Sequence, residues 1–251
     1  NTFGNFQIPT EFNERIDELR GILLSSKKNN FAINFDGMRM RVVRYPVVNG
    51  QMWTCLRRIG VKLPILNELN FENGMVDIFK SWGKRAGLII IGGSTGSGKT
   101  TTAVGMLNEW MNSFGGTLYT IEDPVEYIMQ GVMGVNGFVI QREVEDDDQW
   151  AEDIKDALRS APNYIFVGEV RDAKAARQLL RAATSGHTVL CTVHGSSVSE
   201  SLSAIVQNAE QELGDMAYNL LAEGLTGVIY QNIVRGKPIV EIVETLDSKN
   251  G

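Results

Sequence analysis

The chain has 251 residues, 43% of them hydrophobic and 22% charged, which is the balance of a globular protein of one or two domains with a full core. Two cysteines exclude a disulfide framework and a four-cysteine zinc knot, no apolar run approaches the roughly 20 residues that cross a bilayer, and no signal-peptide pattern opens the chain, so a cytoplasmic protein is expected. The net charge of −6 is uneven: residues 1 to 70 hold 10 lysines and arginines against 6 acids and the rest 14 against 24, so the acidic larger part argues against a long nucleic-acid groove.

The first segment reads as a small α+β unit. Ile16, Leu19, Ile22 and Leu23 form an apolar stripe on a helix over residues 14 to 25, and the polar run Ser25-Ser26-Lys27-Lys28-Asn29-Asn30 breaks it. Three short strands are expected at 31 to 34, 38 to 45 and 51 to 57. The Asp36-Gly37 and Asn49-Gly50 pairs between them tolerate the positive φ of tight turns, which makes the sheet antiparallel. Arg39, Arg41, Arg44, Arg57 and Arg58 crowd this unit. They are either solvated strand faces or guanidinium forks for the phosphates of a nucleotide held by a neighbouring subunit, and the local sequence leaves both open. A connecting segment with Pro64 follows. The reading divides the chain into a small domain at 1–70, a linker at 71–80 and a larger domain at 81–251.

From about residue 81 strands and helices alternate, the pattern of a parallel α/β sheet. Leu88, Ile89, Ile90 and Ile91 suit a strand covered on both faces. The loop after it has Gly93, Gly98, Lys99 and Thr100 in the G-x-x-x-x-G-K-[ST] pattern. Beyond the loop, Val104, Leu107, Trp110, Met111 and Phe114 recur at helical spacing until Gly115-Gly116. A ring of backbone N–H groups can reach polyphosphate oxygens only where side chains leave room, hence the glycines. The loop predicts a nucleoside triphosphate bound by Ser94, Thr95, Gly96, Ser97, Gly98, Lys99, Thr100 and Thr101. Lys99 meets the β- and γ-phosphates and the Thr100 hydroxyl is a hard ligand for Mg²⁺.

Two further strands end in acids. The strand at 117 to 121 runs into Glu122-Asp123-Pro124-Val125-Glu126, and carboxylates at the carboxyl end of a parallel strand lie where open α/β sheets bind ligands. After a helix built on Trp150, Ile154 and Leu158, the strand Tyr164-Ile165-Phe166-Val167 closes on Gly168-Glu169. In phosphate-loop ATPases the strand beside the loop supplies an acid for Mg²⁺ or for the attacking water, so Glu169 is assigned one or both tasks. A helix with Ala176, Leu179, Leu180 and Ala183 follows, then a strand bracketed by both histidines of the chain, His187 and His194. Both are expected on one side of that strand, leading to the ligand edge, which favours a phosphate sensor over a zinc site. Leu202, Ile205 and Val206, then Leu220, Leu221, Leu225 and Val228, stripe two helices, and Ile239, Val240, Ile242 and Val243 follow a Gly236-Lys237-Pro238 turn as a closing hairpin.

The loop, the acidic Thr120-Ile121-Glu122-Asp123-Pro124-Val125-Glu126, the Val167-Gly168-Glu169-Val170-Arg171-Asp172 strand end and the Gly186-His187 to His194 stretch resemble, in this order, the Walker A, Asp, Walker B and His boxes of the type IV pilus and type II/IV secretion ATPases. Gln141-Arg142-Glu143-Val144 also resembles that family, and the likeness covers residues 31 to 245. The resemblance implies an α/β fold: a RecA-like ATPase domain with a mostly parallel sheet, preceded by a small α+β, PAS-like domain that is short for the family. It further implies a homo-hexamer on the cytoplasmic face of the inner membrane, bound there through a platform protein, that hydrolyses ATP with Mg²⁺ to drive pili, secretion or conjugation without direct contact to nucleic acid. Carried over, Glu126 and Glu169 are the acids near the γ-phosphate and His194 the sensor, with Thr100 and Glu169 at the metal. Arg41 and Arg57 are the arginines inserted from the N-terminal domain. Gly93-Ser94 replaces the usual Gly-Pro, and the four-cysteine zinc site typical of pilus-extension and type II secretion members has no counterpart, so a retraction-like, conjugative or divergent member is expected. The rival readings are a RecA-like nucleic-acid motor, a small-molecule kinase and a nucleotide-gated scaffold with little turnover.

Overall fold

Asp36 and Gly37 both take positive φ, 52° and 68°, which a two-residue hairpin turn requires and which Asp and Gly tolerate. The turn joins β1 (Asn30–Phe35) to β2 (Met38–Pro46), and β3 (Met52–Ile59) pairs with the other edge of β2, giving the expected antiparallel sheet in the order β1-β2-β3. Phe31, Ile33, Met40 and Val42 face one side, where Leu19, Ile22 and Leu23 of α1 (Asn13–Ser25) pack on them. The helix ends on Arg44, whose guanidinium donates to the carbonyls of Leu23 at 3.1 Å, Ser26 at 2.8 Å and Lys28, and lies over the Phe31 ring. Backbone carbonyls at a helix end carry partial negative charge that an arginine satisfies, so this member of the arginine group is structural.

This small sheet belongs to the first of two units, Asn1–Val61 and Lys62–Gly251, in the computed structural model, which describes residues 9–60, 62–144 and 149–245. In the second unit β4 (Gly87–Gly92) is buried along its whole length. The period of two sends Leu88 and Ile90 to one face and Ile89 and Ile91 to the other, and each pair enters a different core. The remaining strands are β5 (Gly116–Glu122), β6 (Gly131–Met133), β7 (Gly137–Glu143), β8 (Tyr164–Val167), β9 (Thr188–Val193), β10 (Leu225–Val234) and β11 (Lys237–Glu244). Their order is β11-β10-β4-β9-β8-β5-β7-β6, with β10, β4, β9, β8, β5 and β7 parallel and an antiparallel strand at each edge.

Helices cover both faces, as parallel sheets require. On one side α2 (Met75–Trp82) and α3 (Lys99–Phe114) bury Phe79, Trp82, Val104, Leu107, Trp110 and Met111. On the other lie α4 (Trp150–Arg159), α5 (Ala173–Thr184), α6 (Val198–Leu213) and α7 (Met216–Gly224). Leu66 and Phe79, from the segment that the sequence reading divided between the small domain and a linker, enter the core beneath α3. Leu225 and Val228 are a correction: they were expected on a helix and belong to β10, because the chain there pairs with β4 on one side and β11 on the other. The closing hairpin is present, with Arg235 and Gly236 at positive φ in its turn.

Candidate active site

The loop between β4 and α3 carries no side-chain cap for the helix it opens. Asp172 caps α5 by accepting from the Ala175 N–H at 2.9 Å, and Ser197 caps α6 by accepting from the Glu200 N–H at 3.1 Å. At α3 the capping position is Gly98, at φ 84°, so the first-turn N–H groups are left to the loop's own concavity, the arrangement that suits an anion. Lys99 Nζ donates to the carbonyls of Gly93 at 2.8 Å and Ser94 at 3.0 Å. Burial lowers its pKa below the usual lysine value, and the Glu169 carboxylate pulls it back up. The two groups therefore sense each other's charge.

Glu169 stands just after β8, and β8 is not the neighbour of the loop strand: β9 lies between β4 and β8. This corrects the expectation that the acid comes from the strand beside the loop. His194 follows the intervening strand directly, and its Nε2 lies 2.9 Å from Glu169 Oε1. Arg171 donates to the other carboxylate oxygen from Nε at 2.7 Å. The Thr192 hydroxyl donates to the Gly168 carbonyl at 2.5 Å and ties the exit of β8 to β9.

His187 does not join the site. It precedes β9 and His194 follows it, so the two stand about 23 Å apart along the strand at roughly 3.3 Å per residue, and their odd separation puts them on opposite faces. Its Nδ1 pairs with Ser185 Oγ at 3.0 Å instead. The second histidine of the sensor reading is thereby removed, and His194 carries it alone.

Next along the same edge, β5 ends in Glu122, which is 3% exposed. Its Oε1 accepts from the Thr120 hydroxyl at 2.7 Å and from Gln141 Nε2 at 3.2 Å, and the Glu126 N–H donates to its carboxylate. The 123–130 loop is then held from β7. Gln141 Oε1 accepts from the N–H groups of Met129 and of Gln130, the latter at 2.8 Å, and Glu143 Oε2 accepts from the Val125 N–H at 3.1 Å. Tyr127 OH reaches Thr101 Oγ1 at 3.2 Å, joining this loop to the start of α3. Arg142, on the opposite face of β7, pairs with Asp153 at 2.9 Å. The Gln-Arg-Glu stretch thus acts by alternation: Gln141 and Glu143 hold the loop that carries Glu126, and Arg142 secures α4. Nothing in the local sequence marked Glu122 as buried, since its neighbours Asp123, Pro124 and Glu126 read as a solvated turn.

Burial pushes the Glu122 carboxyl from 4.5 up to about 7, against the lowering by its Thr120 and Gln141 hydrogen bonds, and the nearby Glu126 charge adds to the rise. The folded protein therefore holds this proton where the unfolded chain has lost it. Stability from this group is fully present below pH 4.5 and is lost as pH rises through about 7. A shift of that size corresponds to about 3 kcal/mol. Glu122→Gln, which cannot ionise, is expected to abolish that share of the decline; urea midpoints from pH 4.5 to 8.5 measure it, and parallel wild-type and variant curves would refute it.

In the small unit, Arg41 and Arg57 are direct cross-strand partners on β2 and β3. Met40 and Val42 face α1, so alternation puts Arg41 and Arg57 on the other face of the sheet. Arg41 Nε donates to Asn30 Oδ1 at 3.3 Å.

Residues 25–242 match the family model described as Type II/IV secretion system protein. The type IV pilus retraction ATPase PilT of Pseudomonas aeruginosa is 35% identical over 181 residues, covering 71% of this chain and 51% of that protein. The type IV pilus ATPase PilU of the same organism is 32% identical over 222 residues, covering 86% of this chain and 56% of that one. The chain thus spans little more than half the length of these two relatives. Among solved structures, the pilus retraction motor PilT with bound ADP superposes with a TM-score of 0.76 at 27% identity, over 95% of this chain and 71% of that one.

Proposed function

Because the chain belongs to the type II/IV secretion system protein family, we propose that it is an Mg²⁺-dependent ATPase working as a hexameric motor of a type IV pilus or a type II or IV secretion machine. Lys99 and the N–H groups of the loop from Ser94 to Thr101 bind the phosphates. The donor set suits Mg²⁺, which takes hard oxygen ligands: the Thr100 hydroxyl and the Glu169 carboxylate are such donors, and among the described residues no group of three or more His, Cys, Asp or Glu converges, leaving most positions to phosphate and water. The ion would supply charge neutralisation at the phosphates.

The chain's own groups do the rest. Glu169 and Glu126 orient the attacking water and take its proton. His194 holds Glu169 in place through Nε2 and senses the γ-phosphate, while Arg41 and Arg57 of a neighbouring subunit complete the charge. The observation that carries this reading is the 2.9 Å contact between His194 and Glu169 on adjacent strand ends, with Lys99 in electrostatic reach of the same carboxylate. No helix of the described residues is long and apolar enough to cross a membrane, and the reading puts the ring at the cytoplasmic face of the inner membrane, bound to a platform protein and not to nucleic acid.

Native mass spectrometry of the purified chain with and without Mg·ATP is expected to give a six-subunit species that releases phosphate without an acceptor substrate or DNA. A monomer that phosphorylates a small molecule, or turnover that appears only with DNA, would overturn the proposal. The Arg171 contact to Glu169 favours one second reading, a nucleotide-gated scaffold in which that arginine holds the acid away from water. Arg171→Ala then raises turnover, whereas in the motor reading it leaves turnover within a few fold.

A further inference from the structure

Gln231 lies outside all four boxes, 132 positions beyond Lys99, yet it backs the phosphate loop. Tyr230 pairs with Gly92 in the register of β10 on β4, so the next residue stands level with the first residue of the loop. Gln231 is 1% exposed. Its amide has a defined orientation: the Thr102 hydroxyl of α3 donates to Oε1 at 2.7 Å, which leaves Nε2 to donate to the Ser97 carbonyl at 2.6 Å.

The consequence follows from peptide geometry. In a trans peptide the C=O and the N–H point to opposite sides. A Ser97 carbonyl drawn toward β10 therefore turns the N–H of Gly98 the other way, into the loop's concavity. Gly98 itself offers little resistance to the reverse orientation, because glycine takes either sign of φ. Gln231 supplies the missing constraint. It also bears on one glycine of the motif: a Cβ on Gly98 would stand 2.9 Å from Gln231 Nε2.

We propose that Gln231, oriented by Thr102, is the positioning residue of the phosphate loop, holding the Ser97–Gly98 peptide in the orientation that accepts the phosphates of a nucleoside di- or triphosphate. The inference rests on the reading of this loop as a nucleotide site. It makes affinity for the nucleotide depend on a buried amide from a strand that carries none of the motif residues.

The test is binding of a fluorescent ADP to the purified chain across pH 5.5 to 8.5, with thermal unfolding beside it. Gln231→Leu keeps bulk and loses the donor; it is expected to weaken ADP roughly tenfold, the loss of one hydrogen bond and its buried partner. Thr102→Val is expected to do the same and Thr102→Ser, which keeps the hydroxyl, to recover most of it. Gln231→Glu distinguishes positioning from a general packing defect. At high pH its carboxylate faces the Ser97 carbonyl and binding falls at least tenfold; at low pH the protonated acid donates in place of the amide and binding returns to within about threefold of wild type. The affinity of this variant thus rises as pH falls, relative to wild type under the same conditions. Wild-type affinity in Gln231→Leu and a flat profile for Gln231→Glu overturn the proposal alone, while failure of the wild type to bind ADP, or equal binding by Lys99→Ala, overturns it together with the nucleotide reading.

Discussion

Glu169→Gln is expected to bind ATP as tightly as the wild type and to lose at least a hundredfold in turnover. The amide is isosteric, keeps an oxygen for the His194 Nε2–H now 2.9 Å from Oε1 while giving up the exposed Arg171 contact to Oε2, and leaves the capped helices on either side untouched, so the fold has little reason to change. What disappears is the negative charge and the ability to take a proton. General-base catalysis by a placed carboxylate contributes about 10² to 10⁴ in rate. Removing the charge also removes the group that pulls the Lys99 pKa upward, so phosphate binding by that ammonium becomes somewhat more pH-sensitive in the variant. Fluorescent-ATP titration separates the first effect from phosphate release, which measures the second. Turnover within tenfold of wild type would remove Glu169 from the chemistry and shift the role of base to Glu126.

Arg57→Ala is expected to cost about 10³ in turnover, the lower end of the range for an arginine that neutralises charge at the transferred phosphoryl group. The cross-strand register sets Arg41 directly opposite, and neither side chain contributes to the core that α1 forms with the other face. Loss of either should therefore spare stability. The decisive measurement is mixing. Arg57→Ala subunits retain an intact loop and Lys99→Ala subunits retain intact arginines, so mixed assemblies contain sites in which a good loop meets a good arginine. Activity is expected to return toward a quarter of wild type in an equimolar mixture, roughly the share of adjacent pairs of that kind when arginines act between subunits. A mixture as inactive as its parents would leave the arginines as solvated strand residues, the bland alternative that their density in the sequence never excluded.

Much of the fold was legible because its signals are local. Asp36-Gly37 and the apolar strands around it specify a hairpin within a few residues, and the isoleucines of β4 announce a strand buried on both faces. The errors share a cause. Val228 looks like a helical stripe residue until the chain is seen paired on both edges, and His187 looks like a partner of His194 until the strand between them is seen at full length. Apolar spacing over a few residues does not distinguish a short buried strand from a helix face. Burial of a polar group is a further property that no window of sequence contains: Glu122 owes its state in part to Gln141 on another strand, and Gln231 owes its state to Ser97 in the loop and Thr102 on α3.

The sequence by itself determined the glycine-rich loop after β4, the helix that opens from it, the acid-ended strands and the small antiparallel sheet, since each depends on spacing within one short segment. The tertiary structure alone decided that β9 lies between the loop strand and the acid strand, that His194 rather than His187 reaches Glu169, and that Gln231 stands behind Ser97. Strand order and side-chain burial are settled by packing both faces of one sheet at once, which is a property of the whole unit and not of any stretch within it.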